Sequence, residues 1–275
     1  MKLNRPTRIG LWAWALLVVL FLITPLLVIV VFAFDASTVQ TFPIQHWTTG
    51  WFTLAWHDPA VRSALWLSVQ AGTLATAVAL VLGTLVAFGI HRFRFFGREA
   101  VSLLLVLPIA LPGIVTGLAL YAAFALVGIN LSLLTIVIGH ATFCIVVVYN
   151  NVIARLRRTS TSLQEASADL GASPTQTFLR VTFPTLSTAI VAGGLLAFAL
   201  SFDEVIVTTF TAGANNTLPI WIFGAIRLGQ HLPEVNATVV FVLAVTLLPI
   251  ALAARLTGGE SAVRSSGATV LPVGE

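Results

Sequence analysis

Lys2 is the only lysine in the chain, and that scarcity excludes a large class of activity. A nucleotide-binding phosphate loop, G-x-x-x-x-G-K-[ST], needs a lysine well inside the sequence, and none is available. If ATP powers this protein, another chain must bind it. A nucleophile elbow, G-x-S-x-G, is also missing. The five histidines, His46, His57, His91, His140 and His231, are scattered without metal-ligand spacing, so no metal site is expected. Cys144 is the single cysteine, which excludes an intramolecular disulfide, and it reads as a small buried apolar residue. Charged residues make up only 9% of the chain, against about 25% in a soluble domain.

Hydrophobicity fills the place of charge. The 275 residues are 58% hydrophobic, and mean hydropathy is +1.00. The apolar runs far exceed the roughly 10-residue alternating strands of an outer-membrane barrel, so the expected fold is all-α and integral to a membrane. A net charge of +4 does not point to nucleic acid here, because in a membrane protein the placement of positive charge outweighs its sum.

Six spans are expected: Gly10–Phe34, Ala64–Ile90, Ala100–Leu120, Ser132–Val152, Leu186–Phe210 and Val235–Ala254. Each is long enough to cross about 30 Å of hydrocarbon as a helix. The run from Ile9 to Phe34 exceeds the 7–15 residues of a signal-peptide core, so it reads as a first span behind a short terminus of residues 1–9. An outer loop covers residues 35–63, five spans occupy 64–254, and a Gly- and Ser-rich tail, 255–275, reads as disordered. With the N-terminus in the cytoplasm, Lys2, Arg5, Arg8, Arg92, Arg94, Arg98, Arg155, Arg157, Arg158, Arg180, Arg255 and Arg264 lie inside. Only Arg62 and Arg227 lie outside. This asymmetry places both termini in the cytoplasm.

Several polar or irregular stretches interrupt the spans. The first outer loop holds Trp47, Trp51 and Trp56 beside Phe42 and Phe52, a density that suits an interfacial aromatic belt or a docking surface for an outer partner. The third span, LPIALPGIVTGLAL, contains Pro108, Pro112, Gly113 and Gly117. It reads as a bend, either a packed kink or the wall of a pathway. Gln70 and His140, inside spans, read as hydrogen-bonding partners between helices rather than ligands. Asp203 and Glu204 interrupt the outer part of the fifth span. Either they line a pathway or gate, or the helix ends early and both are solvated. Thr217–Pro233, with Trp221 and Arg227, is too short to span and lies in or on the membrane.

One polar island, Ser162–Pro184, carries its own helix punctuation. Ser162 and Glu165 fit a capping box, and Gly171 fits a left-handed stop. Ser173, Pro174 and Gln176 then fit a second start. Glu165 and Asp169 are four residues apart and share a face. Alone, that face reads as solvated.

The island also resembles the EAA loop of the membrane subunits of ATP-binding-cassette importers. Glu165, Ala166, Gly171 and Pro184 stand at the motif positions, Ser167 stands where many members have a second alanine, and Val181-Thr182-Phe183-Pro184 stands for Ile-x-Leu-Pro. FDEVIVTTFTAG, LPIWIFGAIRLG and PEVNAT are similar to segments of the spermidine/putrescine permeases of that family. The resemblance implies six transmembrane helices with a cytoplasmic coupling loop, residues 155–184, between spans 4 and 5. It implies that Glu165, Ala166, Asp169, Gly171, Pro174 and Pro184 couple to a cytoplasmic ATPase dimer, which would hold ATP and Mg. This chain would then need no cofactor and would be no enzyme. A second permease subunit would complete the pathway, with Asp203, Glu204, Pro108, Pro112 and Tyr121 along it. An extracytoplasmic solute-binding protein would dock near Trp47, Trp51, Trp221 and Arg227. The location implied is a bacterial inner membrane. The solute implied is a polyamine; related permeases carry iron(III), thiamine, aminophosphonates or amino-acid-like solutes. A secondary transporter driven by an ion gradient is the rival from another class, and it would require inverted repeats, which the halves do not display.

Overall fold

The computed structural model describes residues 4–160 and 162–246, and every described element with regular secondary structure is helical. In chain order they are α1 (Arg5–Phe32), α2 (Gly50–His57), α3 (Pro59–Arg92), α4 (Arg98–Ala110), α5 (Gly113–Leu126), α6 (Leu133–Arg158), α7 (Ser162–Asp169), α8 (Pro174–Thr177), α9 (Phe183–Phe202), α10 (Ile206–Thr211), α11 (Leu218–Leu228) and α12 (Leu232–Thr246). A π-helical turn, Phe178–Thr182, joins α8 to α9. Four helical stretches are long and apolar enough to cross a membrane: α1, α3, α6 and the continuous Pro174–Phe202. Counting the bent pair α4–α5 as one span brings the number to five. The sixth expected span begins with α12, and the rest of it, like the tail 255–275, lies outside the described residues.

The chain divides into two compact units. One comprises residues up to Asp58 together with those from Ala225 onward; the other is Pro59–Gly224. In the first unit, α1 is 28 residues long, about 42 Å, and buries none of its side chains within this chain. A helix that is apolar on every side needs lipid or another protein around it. The connection after α1 folds back on itself: Ala36 N–H donates to His46 O (3.0 Å) and Thr48 N–H to Phe34 O (2.8 Å). Trp51 Nε1–H caps this turn by donating to Asp35 O at 2.7 Å. Aromatic contacts join α2 to α12, with Phe241 edge-on to Phe52 at 5.5 Å and tilted against Trp56 at 5.9 Å.

In the second unit, α3, α6 and α9 form a three-helix core. The buried face of α3 is almost entirely small: Ala64, Ser68, Ala71, Gly72, Ala75, Ala79, Gly83 and Ala87 recur at helical spacing. Small residues let helix backbones approach closely where lipid offers no hydrophobic drive to associate. Gly83 shows how closely. A Cβ there would lie 2.8 Å from Ile145 O and 3.0 Å from Val148 Cβ, both on α6. Against this small-residue face, α6 sets Val148, Val152 and Leu156, all buried.

Two spans are broken, each for a local reason. The expected third span bends by 102° between α4 and α5. Leu111 precedes Pro112, and the proline ring pushes it out of the helical region to ψ 145°. Pro112 itself has no N–H with which to continue the helix. At 13 and 14 residues, about 20 Å each, neither half crosses the hydrocarbon alone. The expected fifth span, Leu186–Phe210, stops at Phe202 and resumes as α10 at Ile206, so the early helix end is what the chain adopts.

Candidate functional site

Two regions hold the residues singled out from sequence: the polar loop between α6 and α9, and the pair of helix breaks.

In the loop, α7 ends in a Schellman motif. Gly171 sits at φ +78°, Gly171 N–H donates to Ala168 O (2.8 Å), and Ala172 N–H donates to Ser167 O (3.1 Å). The second helix starts as its sequence indicates. Ser173 Oγ accepts from Gln176 N–H (3.3 Å), and Gln176 Oε1 accepts from Ser173 N–H (2.8 Å). Ser162 is the first described residue of α7, and its hydroxyl pairs with Ser160 Oγ (2.7 Å). A bond of 2.9 Å between Ser167 Oγ and Thr177 Oγ1 ties α7 to α8. Glu165, Ala166, Asp169 and Pro174 are exposed, as are Leu163 and Leu170, the latter 89%.

The second short helix is not separate from the span that follows. From Pro174 to Phe202 the helix is continuous for 29 residues, about 43 Å, well beyond the roughly 30 Å of hydrocarbon. The π turn inside it has a cause in sequence. Pro184 cannot donate and its ring crowds the carbonyl four residues back, so the preceding turn widens and Phe183 N–H reaches Phe178 O. Phe178 packs on Phe88 of α3 at 5.4 Å, and Arg155 Nε–H donates to Thr185 O at 3.1 Å, which fixes the base of this rod to α3 and α6.

The two helix breaks meet. A Cβ on Gly113, directly after Pro112, would lie 3.5 Å from Ile206 Cγ2, directly after the Asp203–Val205 break. One turn on, a Cβ on Gly117 would lie 2.6 Å from Phe210, so α5 and α10 are packed at glycine distance. At the break the two acidic residues separate in role. Asp203 is exposed. Glu204 is half-buried, and its Oε1 accepts Val207 N–H at 2.9 Å, satisfying a free donor in the first turn of α10. Tyr121 is exposed on α5, and Pro108 lies within α4.

The sequence leads one to expect an interhelical hydrogen bond from His140, and it makes two. Its Nδ1 lies 2.7 Å from Ser201 Oγ on α9, and its Nε2 lies 2.8 Å from Thr208 Oγ1 on α10. Thr208 Oγ1–H in turn donates to Glu204 O at 2.6 Å. Sequence reading missed these partners, which stand 61 and 68 residues away. The available signal was three polar residues inside otherwise apolar runs. Gln70 forms no such bond among the described residues. Cys144 is buried, and its thiol faces Ala197 O at 3.3 Å.

Of the outer residues, Trp47 is exposed and pairs its backbone with Asp35, while Trp51 is half-buried against the same turn. Trp221 is half-buried on α11, and Arg227 is exposed in the last turn of that helix. A group not singled out by sequence lies just ahead of α12 and in its first turn: His231 Nδ1 is 3.0 Å from Glu234 Oε2. Burial, and then the neighbouring Asp58 carboxyl, raise the pKa of Glu234, against the opposing pull of His231.

Comparison with known proteins gives consistent matches. The family described as "Binding-protein-dependent transport system inner membrane component" matches residues 79–258. The putrescine transport system permease protein PotI of Escherichia coli (strain K12) is 34% identical over 242 residues, covering 84% of this chain and 85% of that protein. The spermidine/putrescine transport system permease protein PotC of the same strain is 30% identical over 250 residues, covering 90% and 93%. Among solved structures, a chain of a bacterial ABC transporter involved in alginate import shares the fold, with a TM-score of 0.67 at 17% identity over 92% of this chain and 98% of that one. The helical architecture, the apolar spans and the match over most of the chain converge: the protein belongs to the family of binding-protein-dependent transport system inner membrane components, a transport subunit and not an enzyme.

Proposed function

We propose that this chain forms half of the translocation pathway of an ATP-driven importer in a bacterial inner membrane, and that its solute is a polyamine such as putrescine or spermidine. The observation that carries the solute assignment is the identity of 34% and 30% to permeases named for putrescine and for spermidine/putrescine, over most of both chains. The meeting of two helix breaks supports the pathway assignment. Irregular backbone at membrane depth is tolerated where it is buried in protein or lines a watery cavity. Asp203, exposed at one of these breaks, supplies a negative charge for a cationic solute, and we assign Glu204, Pro108, Pro112 and Tyr121 to the same pathway.

In this reading the chain crosses the membrane six times with both termini in the cytoplasm, as the distribution of arginines supports. The Glu165–Pro184 loop is the coupling element. Exposed Leu163 and Leu170 offer apolar contact and Glu165 and Asp169 offer charge to a cytoplasmic ATPase dimer, which holds the ATP and Mg. Gly171, Pro174 and Pro184 set the geometry, and the unbroken rod from Pro174 carries movement of the loop into the span. A second permease subunit, in our reading a different chain, completes the pathway. A solute-binding protein docks outside on Trp47, Trp51, Trp221 and Arg227.

The solute assignment is tested by uptake of labelled putrescine into cells carrying the complete importer, with unlabelled competitors. Putrescine and spermidine should compete at low concentration, while iron(III), thiamine and aminophosphonates should not. Competition by one of the latter alone would reassign the solute and leave the permease family intact.

A further inference from the structure

A hydrogen-bond chain with a definite direction runs through the break that carries Asp203 and Glu204. Thr208 Oγ1–H donates to Glu204 O, so Thr208 Oγ1 is left to accept from His140. His140 Nε2–H therefore donates to Thr208 Oγ1, and Nδ1 is bonded to Ser201 Oγ at 2.7 Å. Ser201 is the penultimate residue of α9, and Thr208 lies in α10, on the other side of the break. A single side chain on α6 thus grips the two helix ends that flank the corner. His140 is fully buried, Ser201 is nearly so and Thr208 is fully buried, so water is not there to take over either bond.

Packing on α5 and the bond from Thr135 Oγ1–H to Thr211 O (2.7 Å) hold α10 to its neighbours, but neither links it to the end of α9. Asp203 and Val205 have φ/ψ of −92°/1° and −104°/−47°, which any residue can adopt. The Glu204 carboxylate caps only the helix that follows. Side chains across the break from each other are joined through His140 alone among the hydrogen bonds described in this region. We infer that His140 is the positioning residue of the pathway: by bridging Ser201 and Thr208 it sets the angle of the α9–α10 corner, and so the place at which the Asp203 carboxylate meets the solute. This rests on the reading of Asp203 as a pathway residue. His140 does not touch the solute itself.

The test uses the complete importer and compares His140→Leu with His140→Gln, whose amide oxygen and N–H keep one acceptor and one donor. Two readouts are taken at matched amounts of protein in the membrane. In the first, His140→Leu is expected to raise the KM for putrescine uptake about tenfold, the scale of one lost buried hydrogen bond, and His140→Gln to recover most of it. A fall in maximal rate with KM unchanged would overturn the inference, since that is what loss of folded protein alone produces. In the second, Asp203→Cys is titrated with a cationic thiol reagent. The labelling rate should shift several-fold on adding His140→Leu and stay near the parent value with His140→Gln. Equal labelling in all three backgrounds would overturn the positioning role. If His140→Leu does not reach the membrane, Thr208→Val removes one arm of the bridge and carries the same expectations. Normal uptake by Asp203→Asn together with shifted labelling would sink the pathway reading while leaving the corner-setting role in place.

Discussion

Replacing Gly171 by valine is expected to lower ATP-driven uptake about thirtyfold and to abolish co-purification with the ATPase. The reason is local. Gly171 holds φ +78°, a conformation that costs an ordinary residue about 1–2 kcal/mol and a β-branched one more. Two kcal/mol shifts a two-state population by about thirtyfold. The Schellman bonds from Gly171 to Ala168 and from Ala172 to Ser167 depend on that conformation, and with them the angle between α7 and the rod that begins at Pro174. No atom lies within 4 Å of where a Cβ would go, so the effect comes from the backbone and not from crowding. Gly171→Asn is the control: asparagine tolerates the left-handed region, so most coupling should survive. Affinity purification of tagged permease, read for bound ATPase, checks the first part, and transport at matched expression checks the second. Valine and asparagine variants that behave alike would show that the turn is not what couples.

Asp203→Asn is expected to raise the KM for putrescine by at least about tenfold, with the protein assembled normally, while Glu204→Gln changes it by less than about threefold. The structure separates these neighbours. Asp203 is exposed, and the asparagine keeps its size while removing the charge that would meet an ammonium group. Glu204 already spends one oxygen on Val207 N–H, a bond that an amide oxygen can also accept. The uptake of a doubly charged amine should therefore follow the charge at position 203. Equal effects of the two substitutions, or none from Asp203→Asn, would remove the carboxylate from the pathway.

Much of this organisation is legible in the chain. The apolar runs locate α1, α3 and α6, with one end of each within two residues and the other longer by five or six, because a helix that must satisfy its backbone in lipid announces itself by length. The stop at Gly171 and the start at Ser173–Gln176 are readable because caps are local. The bend at Leu111–Pro112 follows from proline chemistry, though its 102° angle does not. What escaped depends on contacts far apart in sequence. The π turn before Pro184 runs the helix that starts at Pro174 straight into the span. The break after Phe202 was one of two readings of Asp203–Glu204, and only the packing of α10 on α5 and α6 shows that the chain continues as a helix beyond it. His140 was visible as a polar residue in an apolar run; its partners were not.

In the proposed function, this chain moves a polyamine only when a separate ATPase acts on the Glu165–Pro184 loop. Reconstitution of the purified permease pair into liposomes tests it most directly, with the ATPase on one face, the solute-binding protein on the other, and labelled putrescine. Uptake should require ATP, the ATPase and the binding protein together, and should persist when ion gradients are collapsed. Uptake that proceeds without the ATPase and follows an imposed proton or sodium gradient would contradict the account.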